Sequence, residues 1–186
     1  VGVYFGWGAP LGCHGPFRGA CLGVHVALKV LGEALLNILL VDGRELFREG
    51  LKLLLSNLAD ELCVSQAHDC ASALELAAKT PFDLVLLDYH LPRVEGLEAL
   101  RALRAHIEAA TIVVLSAIEK PALIRQCVDN GAAGFISKTS SHAVMMAALK
   151  LILAGGTYLP VHALTSEPSL SSHRGAETTD GIKQLT

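Results

Sequence analysis

Four polar residues each follow a short and mostly apolar run, at the point where a buried strand would end. Asp42 follows the run ILLV, Asp88 follows LVLL, Ser116 follows IVVL and Lys138 follows GFIS. Ligands of open parallel α/β sheets bind at the carboxyl ends of the strands, so a carboxylate there is a stronger site candidate than one on a helix. An aspartate also starts turns, through a side-chain to backbone hydrogen bond. Taken alone, Asp88 therefore fits either a functional role or a turn.

The elements that would position these residues alternate regularly between strand and helix. We predict strands at Ile38–Val41, Leu62–Ala67, Leu84–Asp88, Thr111–Leu115 and Gly134–Ser137. The intervening segments show apolar residues at helical spacing. Asp69 is expected to cap the second helix, and Ser140 or Thr139 the last one. Because strand-helix-strand crossovers are right-handed, five such repeats predict an α/β fold with a doubly wound parallel sheet.

The composition divides the chain into three segments. Residues 1–36 are glycine-rich and irregular, and we expect them to be an N-terminal extension that is not part of the native domain. The regular pattern of residues 37–159 predicts one domain, long enough to bury a core of its own. Residues 160–186 are rich in Ser, Thr, Glu and Gly, which is typical of a flexible linker.

The charge pattern gives no sign of a nucleic-acid surface within this chain. The formal net charge is -3, whereas nucleic-acid-binding domains carry a basic patch. Arg44, Arg48 and Lys52 recur at helical spacing, but Glu45 and Glu49 lie between them. We interpret this pattern as a solvated helix face rather than as a phosphate-binding stripe.

Membrane, disulfide and metal-cluster roles are not indicated either. Lys29 and Glu33 interrupt the most apolar N-terminal stretch, so we expect no membrane span. The five cysteines form no close pair and leave one over, which favours buried thiols in a reducing cytoplasm over a disulfide framework. The eight histidines show no ligand spacing.

The order of the four polar residues, together with Pro92 and the pair Glu95-Gly96 after Asp88, resembles the receiver domain of two-component response regulators. The resemblance spans about residues 37–159. It implies a flavodoxin-like (βα)5 fold with strand order 2-1-3-4-5, which brings the four residues to one rim of the sheet. The stretches DGRELFREGLKLLL, GAAGFISK and LAGGTYLP resemble the LuxR/NarL-type subfamily in particular.

The resemblance implies a role for each of these residues in phosphorelay signalling. Asp88 would be the nucleophile that accepts a phosphoryl group from the histidine of a sensor kinase. Lys138 would pair with one phosphoryl oxygen, and Ser116 would donate a hydrogen bond to another. Ser116 and Phe135 would form the switch, with the ring of Phe135 swinging inward. Such a domain is a signalling module rather than an enzyme, beyond Mg²⁺-dependent self-phosphorylation and dephosphorylation.

The family also implies a Mg²⁺ ion, held by Asp42, Asp88 and the backbone carbonyl of His90. One departure affects it. The family has two adjacent acidic residues after the first strand, and here Gly43 takes the second position. Because the site loses one charge and one oxygen ligand, we expect weaker metal binding. Either Glu45 reaches into the site or Arg44 takes the place of the cation, and the sequence leaves both open.

The expected partners follow from the same resemblance. LuxR/NarL-type regulators carry a helix-turn-helix after such a linker, so DNA binding would belong to an output domain absent from this chain. The last helix has two apolar stripes, and one suffices for docking on the sheet. The other would make a homodimer or output-domain contact, or else be covered by the N-terminal segment or the tail. The stripes are Val144, Ala147, Ala148, Leu151 and Ile152, and Met145, Leu149 and Leu153.

Two other functions compete with the phosphorylated switch. A degenerate receiver would act as a protein-interaction module without phosphorylation. An aspartyl-nucleophile phosphatase would need a second aspartate two residues after Asp88, where this chain has His90.

Overall fold

The computed structural model describes residues 35–161. Nearly all of the expected N-terminal extension and linker lies outside these residues. The strands are β1 Leu36–Val41, β2 Leu62–Ala67, β3 Leu84–Asp88, β4 Thr111–Ser116 and β5 Gly134–Ser137. The helices are α1 Glu45–Leu55, α2 Cys70–Ala77, α3 Gly96–His106, α4 Pro121–Asp129 and α5 His142–Leu153.

The five strands form one parallel sheet in the order β2-β1-β3-β4-β5. The predicted doubly wound, flavodoxin-like topology is therefore confirmed. All five residues of β3 are buried, since this strand is central and both of its faces are covered. The apolar runs of the sequence reflect this double burial, and they place all carboxyl ends of the strands at one edge.

Two hydrophobic cores lie on the two faces of the sheet. Alternate residues of β3 supply each core, because successive side chains of a strand point to opposite faces. Val85 and Leu87 pack against residues of α2, α3 and α4. Leu84 and Leu86 pack against residues of α1 and α5. The sheet is thus a rigid platform, and the site at its edge rests on both cores.

The helix starts confirm one predicted cap and correct another. Asp69 caps α2, because its side chain accepts the backbone N–H of Ser72 at 2.8 Å and the serine completes a capping box. The cap of α5 is Ser141, which accepts the N–H of Val144, so the prediction of Ser140 or Thr139 was wrong. The hydroxyl of Thr139 lies 2.8 Å from that of Ser137 instead.

The outward face of α5 differs from the predicted stripes. The buried residues are Met145, Ala148, Leu149 and Ile152, which come from both stripes. Val144 and Leu151 remain 41% and 47% exposed. A helix buries an apolar face about 100° wide or more, and here that face takes Met145 and Leu149 from one stripe and Ala148 and Ile152 from the other, while Val144 and Leu151 stay exposed.

The remaining composition-based expectations concern membranes and thiols. No helix within residues 35–161 is long and apolar enough to span a membrane. Cys63, Cys70 and Cys127 are buried, as expected for small core residues. Burial raises the pKa of the Cys127 thiol to about 11, which keeps it protonated and unreactive at neutral pH. The other two cysteines lie outside the described residues.

Candidate functional site

Two buried carboxylates lie side by side at the carboxyl edge of the sheet. Asp42 directly follows β1 and Asp88 ends β3. The two strands are neighbours, and Val41 pairs with Leu87, so the next residue of each strand is one of the aspartates. Asp42 is 3% exposed and Asp88 is 2% exposed. Buried carboxylates require compensating partners, which the neighbouring elements supply.

Lys138 is the buried cation between the two acids. Its ammonium Nζ contacts Oδ2 of Asp42 and lies 2.8 Å from Oδ2 of Asp88. The lysine side chain is only 6% exposed. The backbone positions it, since Lys138 directly follows β5 and its N–H donates to the carbonyl of Ser116 at 2.8 Å. One ammonium therefore bridges both carboxylates in a site with little water.

Arg44 brings a second cation to the same carboxylates. Its Nε lies 3.5 Å from Oδ1 of Asp42, and its Nη2 lies 3.8 Å from Oδ2 of Asp88. The backbone N–H of Arg44 also donates to Oδ1 of Asp42, at 2.8 Å. The side chain is 61% exposed, so water screens these pairs more than the lysine pairs. The sequence left open whether Glu45 or Arg44 enters the site. It is Arg44 that contacts the two acids.

Of the three basic residues interpreted as a solvated helix face, Arg44 is exposed as expected, whereas Arg48 departs from the interpretation. Arg48 is half-buried, and its Nη1 donates to the backbone carbonyl of Asp42 at 2.7 Å. Its Nε donates to the side chain of Gln66 at 2.9 Å. The reason is that α1 starts only three residues after the strand end, so its first turn faces the rim of the sheet.

Phe47, in the first turn of α1, is a site residue that the sequence pattern did not predict. The ammonium of Lys138 lies 4.4 Å from the centre of its ring, and the guanidinium carbon of Arg44 lies 5.4 Å from it. Both distances are within the range of cation–π attraction. An aromatic residue in the first turn after a strand-end aspartate is the signal that could have found it.

Ser116 ends β4, the neighbour of β3, and is fully buried. Asp88 pairs with Leu115, so the serine lies one position beyond the residue opposite the aspartate. Its hydroxyl oxygen accepts the backbone N–H of Ile118 at 3.0 Å. Phe135 lies in β5, fully buried in the core shared with α2, α3 and α4. Ser116 therefore ends the strand next to that of Asp88, whereas Phe135 lies in the core, two residues before Ser137, the partner of Ser116.

The loop after β3 is built closely around Asp88. The backbone N–H of His90 donates to Oδ1 of Asp88 at 3.0 Å, which orients the carboxylate. Gly96 begins α3, and a Cβ at this position would lie 2.3 Å from the carbonyl oxygen of Tyr89. Only glycine fits such a contact with backbone. This close approach is the physical reason for the Glu95-Gly96 pair noted in the sequence.

The residues at this edge do not fit the family's Mg²⁺ site. Only two carboxylates are present, and the ammonium of Lys138 and the guanidinium of Arg44 already contact both. Within residues 35–161, no group of three or more His, Cys, Asp or Glu residues is arranged to hold a metal ion. A Mg²⁺ ion prefers six oxygen ligands in an octahedron. Here it would compete with two cationic side chains for two acids.

The position of the missing acid is sterically tight. A Cβ at Gly43 would lie 3.0 Å from both Cγ and Cδ of Pro92. Adding a side chain there would therefore require Pro92 to shift by a few tenths of an ångström. Glu45 begins α1 and is exposed. Residue 43 thus supplies no ligand, and the exposed Glu45 does not complete the acidic set.

The family model of the response regulator receiver domain matches residues 38–150. The transcriptional activator protein ExaE of Pseudomonas putida is 33% identical over 140 residues, which cover 75% of this chain and 65% of ExaE. The regulatory protein DegU of Brevibacillus brevis is 30% identical over 129 residues, 69% of this chain and 55% of DegU. This chain thus spans less than two thirds of either relative.

Solved structures agree in fold and sequence. A LuxR family DNA-binding response regulator from Silicibacter pomeroyi superposes with a TM-score of 0.61 at 32% identity, over 68% of this chain and 98% of that one. A response regulator protein from Burkholderia pseudomallei, solved with a phosphorylated aspartic acid, calcium ion and citrate, gives 0.57 at 29% identity, over 64% and 69%. The chain therefore belongs to the response regulator receiver domain family, of the NarL/LuxR type.

Proposed function

We propose that Asp88 of this receiver domain accepts a phosphoryl group from the histidine of a sensor kinase. The observation that carries the proposal is the buried ammonium of Lys138, 2.8 Å from the Oδ2 atom of Asp88. An ammonium in a site of low dielectric stabilises the charge that develops on the phosphoryl oxygens during transfer. The phosphorylated aspartic acid named for the Burkholderia pseudomallei relative supports the same chemistry.

The residues around Asp88 would divide the work of the transfer. One carboxylate oxygen of Asp88 attacks phosphorus, and the bond from phosphorus to the donor's leaving atom breaks. The leaving group departs with the electron pair. Lys138 donates to one phosphoryl oxygen and Ser116 to another, while the N–H of His90 keeps the carboxylate oriented. A hydroxyl drawn toward the new charge, followed by movement of Phe135, would form the switch.

In receiver domains that bind Mg²⁺, the ion neutralises negative charge on the phosphoryl group. The resemblance assigns such an ion to the carboxylates of Asp42 and Asp88 and the carbonyl of His90, a set that lacks the second acid of the family's site. Because the acid at position 43 is missing and two cations contact the acids, we expect its affinity to be lower than in receivers with the full acidic pair.

The whole protein is proposed to be a transcriptional regulator located in the cytoplasm. Residues 37–159 would form the receiver and residues 160–186 a linker to a helix-turn-helix output domain, which would make the DNA contacts. Leu46 of α1 lines a cavity together with His142 and Met145 of α5. The exposed apolar residues of these two helices, Leu46, Leu53 and Leu151, would form a homodimer. Apart from forming and losing its own phosphoryl group, the domain would catalyse no reaction.

Intact mass spectrometry tests the phosphoacceptor directly. The chain is incubated with acetyl phosphate, in parallel with Asp88→Asn and the control Asp60→Asn, which changes an exposed turn residue. We expect one added phosphoryl group on the wild type and on the control, and none on Asp88→Asn. If incubation adds no phosphoryl group to any of the three proteins, the result would instead support the module that works without phosphorylation.

A further inference from the structure

The charges of the site balance without a metal ion. Asp42 and Asp88 carry two negative charges, and Lys138 and Arg44 carry two positive ones within 4 Å of them. In the family pattern a third carboxylate follows the first strand, and a divalent cation and the lysine together balance three acids. This chain has lost that acid and gained a guanidinium. A divalent cation added here would bring excess positive charge.

The guanidinium of Arg44 is held beside the acids by more than its ion pairs. Arg44 is the N-cap of α1, in an extended backbone conformation, and its backbone N–H donates to the carboxylate of Asp42. The ring of Phe47 lies under the guanidinium and under the ammonium of Lys138. This aromatic contact favours a position of both cations at the mouth of the site. The 61% exposure of the arginine leaves it accessible to an incoming anion.

We propose that Arg44 does the work of the divalent cation, so that Asp88 takes up its phosphoryl group without Mg²⁺. The inference rests on the proposed function of Asp88. A guanidinium has five N–H donors, so it can contact a carboxylate and a phosphoryl oxygen at the same time. When acetyl phosphate is the donor, an Asp88 oxygen attacks phosphorus and the P–O bond to the acetyl group breaks. Acetate leaves with the electron pair, and no proton is transferred.

The first experiment measures labelling of the chain by acetyl phosphate, in EDTA and in Mg²⁺, by intact mass. We expect the labelling rate of the wild type in EDTA to lie within about threefold of its rate in Mg²⁺. Arg44→Gln should lower the rate in EDTA by about tenfold, since one charge-assisted contact is lost. Arg44→Lys, which keeps the charge without the planar fork, should fall between them. The exposed Arg125→Gln on α4 is the matched control and should label as the wild type does.

The second experiment measures metal binding itself, with Mn²⁺ as a paramagnetic substitute for Mg²⁺ and electron paramagnetic resonance as the readout. The double variant Gly43→Asp with Arg44→Gln restores the acid and removes the competing cation. It should bind Mn²⁺ at least about tenfold more tightly than the wild type. Gly43→Ala is the steric control, because it meets Pro92 in the same way without adding a ligand.

The outcomes separate this inference from the function on which it rests. Labelling that EDTA abolishes and Mg²⁺ restores, with Arg44→Gln unaffected, would overturn the role of Arg44 and leave Asp88 as the phosphoacceptor. Wild-type Mn²⁺ affinity equal to that of the double variant would overturn it as well. No labelling of the wild type in either condition would overturn both proposals.

Discussion

Lys138 has the largest electrostatic role of any single residue in the site, since its ammonium bridges two carboxylates that are each nearly fully buried. Lys138→Met keeps much of the side-chain volume and leaves the acids with only the exposed Arg44 as counterion. Breaking a buried ion pair costs about 3 kcal/mol or more. We expect the free energy of unfolding to fall by about this amount, as measured by urea denaturation at neutral pH.

A double-mutant cycle checks the cause of that loss. In an Asp88→Asn background one of the two carboxylates is neutral, so Lys138→Met should cost clearly less there than in the wild type. Lys150→Met, at an exposed position of α5, is the control and should have little effect. The same cost in both backgrounds would contradict an electrostatic role and would point to lost packing.

At this scale the sequence predicted the identities of the site residues better than their contacts. Asp42, Asp88 and Lys138 were placed together because each ends a strand, and strand ends of a parallel sheet share an edge. Arg44 and Phe47 precede or begin a helix, where the direction of a side chain depends on the angle at which the helix leaves the sheet. No periodicity in the sequence encodes that angle, so their contacts required the structure.

The capping box of α2 makes a testable contribution at the scale of the element. The hydroxyl and the backbone N–H of Ser72 both donate to Asp69 and hold the pKa of its carboxyl below the ordinary 3.8. A carboxyl with a lowered pKa in the folded state adds stability above its unfolded-state pKa, and this contribution is lost as the pH falls through the folded value. Asp69→Ala should therefore cost about 1 kcal/mol at pH 7, and less at pH 3, in urea denaturation.

Asp69→Asn separates the hydrogen bond from the charge. Asparagine is an equally good N-cap but does not ionise, so its stability relative to the alanine variant should be the same at both pH values. A cost of Asp69→Ala that stays constant from pH 7 to pH 3 would show that the charge of the cap contributes nothing.

The boundaries of the elements show where sequence reasoning was strong. The limits of β2, β3 and β5 were predicted to the residue, because apolar runs end abruptly at polar or turn-forming residues. The predicted start of β1 at Ile38 was two residues late, since Asn37 is polar and yet pairs with Cys63 in the sheet. The cap of α5 was misplaced because three consecutive hydroxyl residues, Thr139, Ser140 and Ser141, can all cap a helix, and only backbone geometry selects one.

For the whole molecule, alternation of strand and helix predicted the α/β class, but it did not by itself predict the order of the strands. Order 2-1-3-4-5 came from the resemblance to receiver domains, and the sheet confirms it. That order places α1 and α5 together on one face and the other three helices on the opposite face. The pairing of α1 with α5 was not predicted, although it decides which exposed apolar residues form a common surface.

That common surface leads to a prediction about assembly. Leu46 and Leu53 of α1 are 87% and 74% exposed, and Leu151 of α5 is 47% exposed. Exposed apolar residues on two neighbouring helices mark an interaction site, and a second copy of the chain would bury them symmetrically. We expect the chain to dimerise in analytical ultracentrifugation, and Leu53→Glu or Leu151→Glu to weaken the dimer at least about tenfold, because each places a charge in an apolar contact.

Ile118→Glu, an exposed apolar position in the loop between β4 and α4, should leave the dimer intact. A wild-type chain that stays monomeric before and after treatment with acetyl phosphate would rule out this interface.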